Sequence, residues 1–286
     1  MWRGGGAVVK PWRTVVVMSD NEAKYLVPGL ERGLSILALF TPERPSWALS
    51  EIAKSMRISR SSVFRLVYTL ENCGFVRRVG ERQYRLGPKI LSLGFNFIAG
   101  HDFVDVARPH LERLRDIVGA SAHLGVLDGD EVIYLVRVPS RQALISNIGV
   151  GSRLPVHSTT MGRMLLCEAD EAVLRGVWRR AHAETARAQT GRAAEDAFVA
   201  MIAEDRRLGV VATASRYEPG LTSVAAAVRD REGRIVAAIN VSAPEQMLKL
   251  AEARENVVPH VLATARLISQ ALGYQAREAR TVPGMA

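Results

Sequence analysis

Residues 49–89 read LSEIAKSMRISRSSVFRLVYTLENCGFVRRVGERQYRLGPK, and this stretch decides the fold of the N-terminal part of the chain. Its apolar residues follow helical spacing twice. Ile52, Ala53 and Met56 mark one short amphipathic helix, and Val63, Leu66, Val67 and Leu70 mark a second. Arg57-Ile58 makes the turn between them, with Ile58 plugging the angle. Ser50 and Ser59 stand where helix N-caps belong. Two alternating segments then flank Gly80-Glu81-Arg82: Phe75–Val79 and Gln83–Leu86. That is a hairpin pattern. Helix, turn, helix and basic hairpin in this order predict a winged helix-turn-helix, which places its second helix in a DNA major groove.

The face of that helix opposite Val63 and Val67 carries Arg60, Ser61, Ser62, Arg65 and Tyr68. Small hydroxyl residues permit close approach to phosphates and base edges. Either arginine can reach the paired acceptors of guanine. Arg77, Arg78, Arg82 and Arg85 line the expected wing, where phosphate contacts add affinity and register but little sequence choice. Ser50 and Ser59 complete the expected DNA-facing set.

Charge agrees with this reading. The 286 residues carry a net +9, and residues 1–100 hold 15 Lys and Arg against 7 Asp and Glu, or +8 of it. Between Arg44 and Lys89 the count is 10 basic to 3 acidic. A phosphate-contacting module leaves that footprint, with a nearly neutral domain behind it. No run of 18 apolar residues exists, so no membrane span is expected. Cys73 and Cys167 lack metal-ligand spacing and read as reduced residues of a cytoplasmic protein. No G-x-S-x-G, Walker A or H-E-x-x-H pattern occurs, and neither a catalytic residue, a metal nor a cofactor is expected.

Outside the decisive stretch, a first helix is expected over about Val27–Phe40, burying Leu30, Leu34, Leu37 and Ala38. Residues 89–118 read as long helices whose apolar run, Ile90 to Ile98, needs a partner helix in this chain or in a second copy. From Ser121 the period changes to two. SAHLGVLD and EVIYLVRVPS form a hairpin, STTMGRMLLCEA a helix, and TSVAAAVRD pairs with RIVAAINVSAP around REG. Helices follow around Asp170–Arg180 and Ala193–Leu208, and a closing helix from Glu245 to Tyr274 is bent or interrupted at Pro259. Strands and helices segregate, which predicts an α+β domain.

Five blocks in order resemble the IclR family of transcription regulators: GLERGLSIL, LSEIAKSMRISRSSVFRLVYTLENCGFV, YRLGPKILSLG, GSRLPVHSTTMGRMLL and GLTSVAAAVRDREGRIVAAINVSAP. Within it, SRLPVHSTTMGR and EPGLTSVAAAVRD are most similar to the subgroup controlling protocatechuate and 4-hydroxybenzoate breakdown through the β-ketoadipate pathway. The resemblance implies a winged helix-turn-helix, a linker helix, and an effector domain built on a GAF/PAS-like antiparallel sheet with packed helices. On this basis residues 1–24 are a disordered extension, 25–87 the DNA-binding domain, 88–104 the linker helix, 105–275 the effector-binding domain and 276–286 a flexible tail.

The implied partners are double-stranded operator DNA, a small organic acid and a second copy, as homodimer or homotetramer. RNA polymerase joins them if the protein activates. Carried over by motif, Thr160 and Met161 fall where backbone N–H groups meet the ligand carboxylate. Ser223 falls where many relatives have cysteine, and Thr213 where an acidic residue often sits. Asn240 and Ser242 fall on the strand after the REG turn, two apart and therefore on one face. The Thr213 departure speaks against carrying over a small keto acid and is compatible with a different organic acid, aromatic or dicarboxylic. His123, Arg141, Arg153, His157 and Arg163 are further polar candidates, each equally readable as structural. The competing functions are a ligand-independent DNA-binding protein and an enzyme with an accessory DNA-binding domain.

Overall fold

The computed structural model describes residues 24–100, 103–141, 148–183, 191–214 and 219–275, without the side chains of residues 98 and 99. The expected extension before residue 24 and the expected tail from residue 276 lie outside the described residues. The chain separates into two compact units after Gly100.

In the N-terminal unit, α1 (Pro28–Leu37) is followed by β1 (Trp47–Ala48), α2 (Leu49–Met56), α3 (Arg60–Asn72), β2 (Val76–Val79), β3 (Gln83–Leu86) and α4 (Lys89–Ala99). The expected helix-turn-helix and hairpin are present. Ile52, Val63 and Val67 are fully buried and share a core with Ile36, Phe40, Trp47, Val76 and Tyr84. Ile58 packs against the same core from the turn. The sheet has a third strand that pattern reading missed: Trp47 pairs with Tyr84 and Ala48 with Gln83. Two residues are too short to display a period.

Two expectations fail locally. Leu30 and Leu34 are not core residues: they are 62% and 50% exposed, while α1 buries Gly33 and Ile36. Leu37 does pack against the core, but Leu30 and Leu34 face outward, because apolar residues lie on both sides of the helix. Ser50 is not the N-cap of α2. Ala48 is, and Glu51 Oε2 accepts its N–H at 2.8 Å. Arg44 completes this end with a 2.6 Å ion pair to Glu51. Ser59 does cap α3, its hydroxyl accepting the Ser62 N–H at 3.2 Å. A glycine joins the wing to the end of α3: a Cβ on Gly87 would come within 2.2 Å of the Gly74 carbonyl oxygen.

The C-terminal unit opens with α5 (Phe103–Val118), so the stretch read as long helices from 89 to 118 forms α4 and α5. Then come β4 (Ser121–Asp128), β5 (Glu131–Val138), β6 (Arg153–Pro155), α6 (Thr160–Leu165) with a 3-10 turn Leu166–Glu168, α7 (Glu171–Ala181) and α8 (Arg192–Leu208). β7 (Val210–Ala214), β8 (Leu221–Arg229), β9 (Ile235–Pro244), a short α9 (Leu250–Glu252), a π turn Ala253–Val257 and α10 (Val258–Ala271) complete it. Six antiparallel strands run in the order β6-β5-β4-β9-β8-β7. The β4–β5 and β8–β9 hairpins are as expected, and β7 is an addition. The closing helix is shorter than its apolar pattern. It starts at Leu250 and passes through the π turn just before Pro259, where a missing N–H is least costly.

Packing follows the two faces of the sheet. Met161, Met164, Leu165 and Leu166 of α6 and its 3-10 turn enter a core with Val132, Phe198, Ile202, Val211, Ala225 and Ala238. α6 can lie this close because position 162 has no side chain. A Cβ there would sit 2.0 Å from the Val156 carbonyl oxygen.

Candidate functional sites

On α3 the core side is closed and the opposite side is open. Arg60, Ser61, Arg65 and Tyr68 are exposed, and Ser62 is half-buried next to the Ser59 cap. On the wing, Arg77, Arg78, Arg82 and Arg85 are all exposed. Arg78 donates from Nε to the Glu81 carbonyl at 3.0 Å and so braces the wing tip. Among the described residues, none of Arg60, Arg65, Arg77, Arg82 and Arg85 lies within salt-bridge distance of a carboxylate. Cations left free by the protein are available to phosphates. Ser50 is exposed on the first turn of α2. Phe64 was not singled out from sequence, yet it is 53% exposed and stacks on Tyr68 with ring centroids 6.1 Å apart. The i, i+4 spacing of two aromatic residues was the available signal.

The second site is a cavity in the C-terminal unit, holding about 360 Å3 of empty space, part of it open to solvent. Only about 30 Å3 of it admits the centre of a water-sized sphere, so the cavity is narrow and a ligand larger than a water enters only if its lining moves apart. His123 on β4, Ser223 on β8 and Asn240 with Ser242 on β9 supply its floor, and Thr159 and Thr160 at the start of α6 one wall. Tyr134, Ile148, Leu154 and Leu221 make the rest largely apolar. Register puts these groups together. His123 pairs with Asn240 and Ser223 with Ser242, so the side chains of each pair emerge on one face.

The polar groups form one connected chain. The Thr160 hydroxyl lies 2.9 Å from the Ser223 hydroxyl. Asn240 Nδ2 donates to Ser223 Oγ at 3.1 Å, and Ser223 donates to the Val241 carbonyl at 3.2 Å. Asn240 Oδ1 lies 2.9 Å from His123 Nδ1. His123 is 1% exposed, and its ring meets Tyr134 edge-on at 5.5 Å. Burial pushes the His123 pKa down to about 4 from 6.5, with the Asn240 contact opposing and the Arg137 charge adding to the fall. The imidazole is therefore neutral at physiological pH.

Thr213 is not part of the cavity lining. The Met161 side chain is buried in the core, while its backbone N–H, the group expected at the ligand, stands in the first turn of α6 next to Thr160. The Thr213 hydroxyl donates to the Ala214 carbonyl at 3.1 Å. The other polar candidates have internal partners. Arg163 makes a two-pronged ion pair with buried Asp205 at 2.7 and 2.6 Å. Arg153 bonds Glu131 at 2.6 Å, and Arg141 reaches Asp116 at 3.1 Å. His157 packs against Trp178 and His182. A wider depression lined by Arg115, Asp116, Gly119, Ser140 and Arg141 also exists, but the Asp116 carboxylate already pairs both arginines. Among the described residues no group of His, Cys, Asp and Glu is placed to hold a metal, and no helix is long and apolar enough to cross a membrane.

Comparison with known proteins resolves what such a pair of sites belongs to. Residues 29–80 match the IclR helix-turn-helix domain, and residues 95–270 match the C-terminal domain of the bacterial transcriptional regulator IclR. The chain belongs to the IclR family. It is a DNA-binding transcription regulator with an effector-binding C-terminal domain. The chain is 32% identical over 238 residues to the Pca regulon regulatory protein of Pseudomonas putida, covering 83% of this chain and 81% of that one. It is 28% identical to the regulator KdgR of Escherichia coli, covering 79% and 86% of the two chains. A solved IclR homologue from Microbacterium hydrocarbonoxydans, complexed with 4-hydroxybenzoate, superposes with a TM-score of 0.73 at 27% identity, covering 85% of this chain and 98% of that one.

The neutral, buried His123 makes stability depend on pH. The unfolded chain takes up a proton near pH 6.5, whereas the folded protein resists protonation until about pH 4. The full contribution is present above pH 6.5 and is lost as pH falls towards 4. Denaturant titrations across that window should show stability declining by on the order of 2–4 kcal/mol from this residue. His123→Asn should flatten the slope, and an unchanged slope would place the titration elsewhere.

Proposed function

We propose that this IclR-family regulator senses a small aromatic acid and, as a homodimer on an inverted-repeat operator, controls genes for the breakdown of that acid. The cavity carries the reading. It offers a cluster of hydroxyls, one amide and one neutral imidazole against an apolar remainder formed by Tyr134, Ile148, Leu154 and Leu221. Such a lining suits a planar apolar ring with few polar substituents better than a small, fully hydrated keto acid. The 4-hydroxybenzoate complex of the Microbacterium homologue and the likeness to the Pca regulon regulator support the same ligand class. The family consists of transcription regulators, and the site offers binding groups rather than a nucleophile beside a base, which favours regulation over catalysis.

A dimer accounts for the exposed apolar residues of the N-terminal unit. Leu30 and Leu34 on α1 and Leu91, Leu93 and Phe95 on α4 are each at least half exposed. A second copy covers such a surface and sets the spacing of two recognition helices. Segments 88–104 and 105–275 serve as connector and effector-binding domain. The effector acts by binding one dimer geometry more tightly than another. If that geometry activates, RNA polymerase is the further partner.

Three measurements test this. Sedimentation at micromolar protein should give a dimer or a tetramer, and a monomer under operator-binding conditions would remove the symmetric reading. Arg65→Ala should weaken cognate operator binding by about 1–3 kcal/mol while affecting random DNA less. Equal loss on both would make Arg65 a phosphate contact. Ser223→Leu fills the cavity floor and should abolish the aromatic-acid response in a reporter assay while operator binding without effector persists. A normal response would place the effector elsewhere.

A further inference from the structure

Among the described residues, the cavity lining contains one fully buried polar atom without a partner. His123 Nε2 is buried and makes no hydrogen bond. The neighbouring hydrogen bonds determine whether it carries a proton. The Ser223 hydroxyl has one proton and two acceptors for it besides Asn240, the Val241 carbonyl at 3.2 Å and the Thr160 hydroxyl at 2.9 Å. With the proton given to either, Ser223 Oγ accepts from Asn240, which turns Asn240 Nδ2 towards Ser223 and Oδ1 towards His123. An amide oxygen can only accept. His123 Nδ1 therefore carries the ring proton, and in a neutral imidazole that leaves Nε2 as a bare lone pair.

With the Asn240 amide flipped the ring would reverse, and the single Ser223 proton would have to serve Asn240, so that neither the Val241 carbonyl nor the Thr160 hydroxyl could receive it. The ring cannot avoid the difficulty by ionising. It is 1% exposed, and the Arg137 charge opposes protonation. Since His123 lines the cavity and Nδ1 is tied to Asn240, Nε2 is its remaining polar atom.

We propose that His123 Nε2 is a specificity determinant of the effector site, accepting a hydrogen bond from a hydroxyl group of the ligand, so that the regulator selects a hydroxy-substituted aromatic acid over its unsubstituted counterpart. The proposal rests on the cavity being the effector site. A hydroxylated ring satisfies the buried acceptor. An unsubstituted ring of the same size shuts water out and leaves the acceptor unpaired, which is the costly case. A bare acceptor is a poor partner for a carboxylate, so the acid group must turn away from His123 towards the hydroxyls of the cavity. The residue thus fixes orientation as well as identity.

The test is calorimetric titration of the full-length protein with benzoate, 3-hydroxybenzoate, 4-hydroxybenzoate and 3,4-dihydroxybenzoate. At least one hydroxylated acid should bind about tenfold or more tightly than benzoate. His123→Asn keeps an N–H near the Nδ1 position for Asn240 and deletes Nε2, so it should collapse that preference. His123→Gln puts an acceptor oxygen near the Nε2 position and should retain part of it. Nitrogen-15 NMR of the histidine-labelled wild type is independent of the variants' folding. It should show Nε2 unprotonated in the free protein and shifted by the hydroxylated acid but not by benzoate. Equal binding of all four acids, an unchanged preference in His123→Asn, or a protonated Nε2 overturns the proposal. If binding is then still lost in Ser223→Leu, the cavity remains the effector site and His123 alone is excluded. If none of the acids binds, or if binding survives Ser223→Leu, both readings fall.

Discussion

The hydrogen-bond chain from Thr160 through Ser223 and Asn240 to His123 holds the C-terminal unit to a single arrangement. It ties α6, β8, β9 and β4 together, and its members are at most 7% exposed. Each buried polar group here would cost about 1–3 kcal/mol if left unpaired. The chain is therefore tolerated only if the strands keep their register and α6 keeps its approach. A one-residue slip of β9 would turn Asn240 into the opposite face and break the chain at its centre. The missing side chain at Gly162 keeps the start of α6 against the Val156 backbone and the Thr159 cap, where a Cβ would clash with both.

The same arrangement gives the cavity its chemistry. The polar side chains linked from Thr160 to His123 are satisfied within the protein except at His123 Nε2, and the described lining holds no carboxylate. The arginines first considered for this site are spent on acids of the same unit. Arg163 with Asp205 and Arg153 with Glu131 stiffen the surroundings and add no charge to the cavity. The N-terminal unit shows the opposite allocation. There the cations of α3 and the wing are left without carboxylate partners, as befits a surface whose counter-charges come from DNA phosphates.

Much of this was legible in the chain itself. The helix-turn-helix was written twice over, in helical spacing and in a basic excess, and both signals are local. The paired strands around Gly129 and around REG were legible for the same reason: a turn and two alternating flanks need no distant information. The misreadings share one cause. Leu30 and Leu34 satisfy a helical period as well as Ile36 does, and only the position of α3 and the sheet decides which face is inside. Ser50 is the better capping residue by type, but Glu51 reaches back to Ala48, which moves the helix start by two residues. β1 and β7 are strands because of the partners they meet, Tyr84 with Gln83 and Ser223 with its neighbours, and carry too little pattern of their own.

Sequence alone determined the family, the second helix of the helix-turn-helix and its exposed arginines, and the two-residue phase that places Asn240 and Ser242 together, because each depends on residues close along the chain. Tertiary structure decided what surrounds the cavity of the C-terminal unit. It turned Thr213 to its own backbone and paired off Arg163. It brought His123 from 117 positions away to face Asn240. Hydrogen-bond satisfaction is a property of neighbours in space, and a lone histidine in a strand gives no sign of which of its nitrogens will be left without a partner.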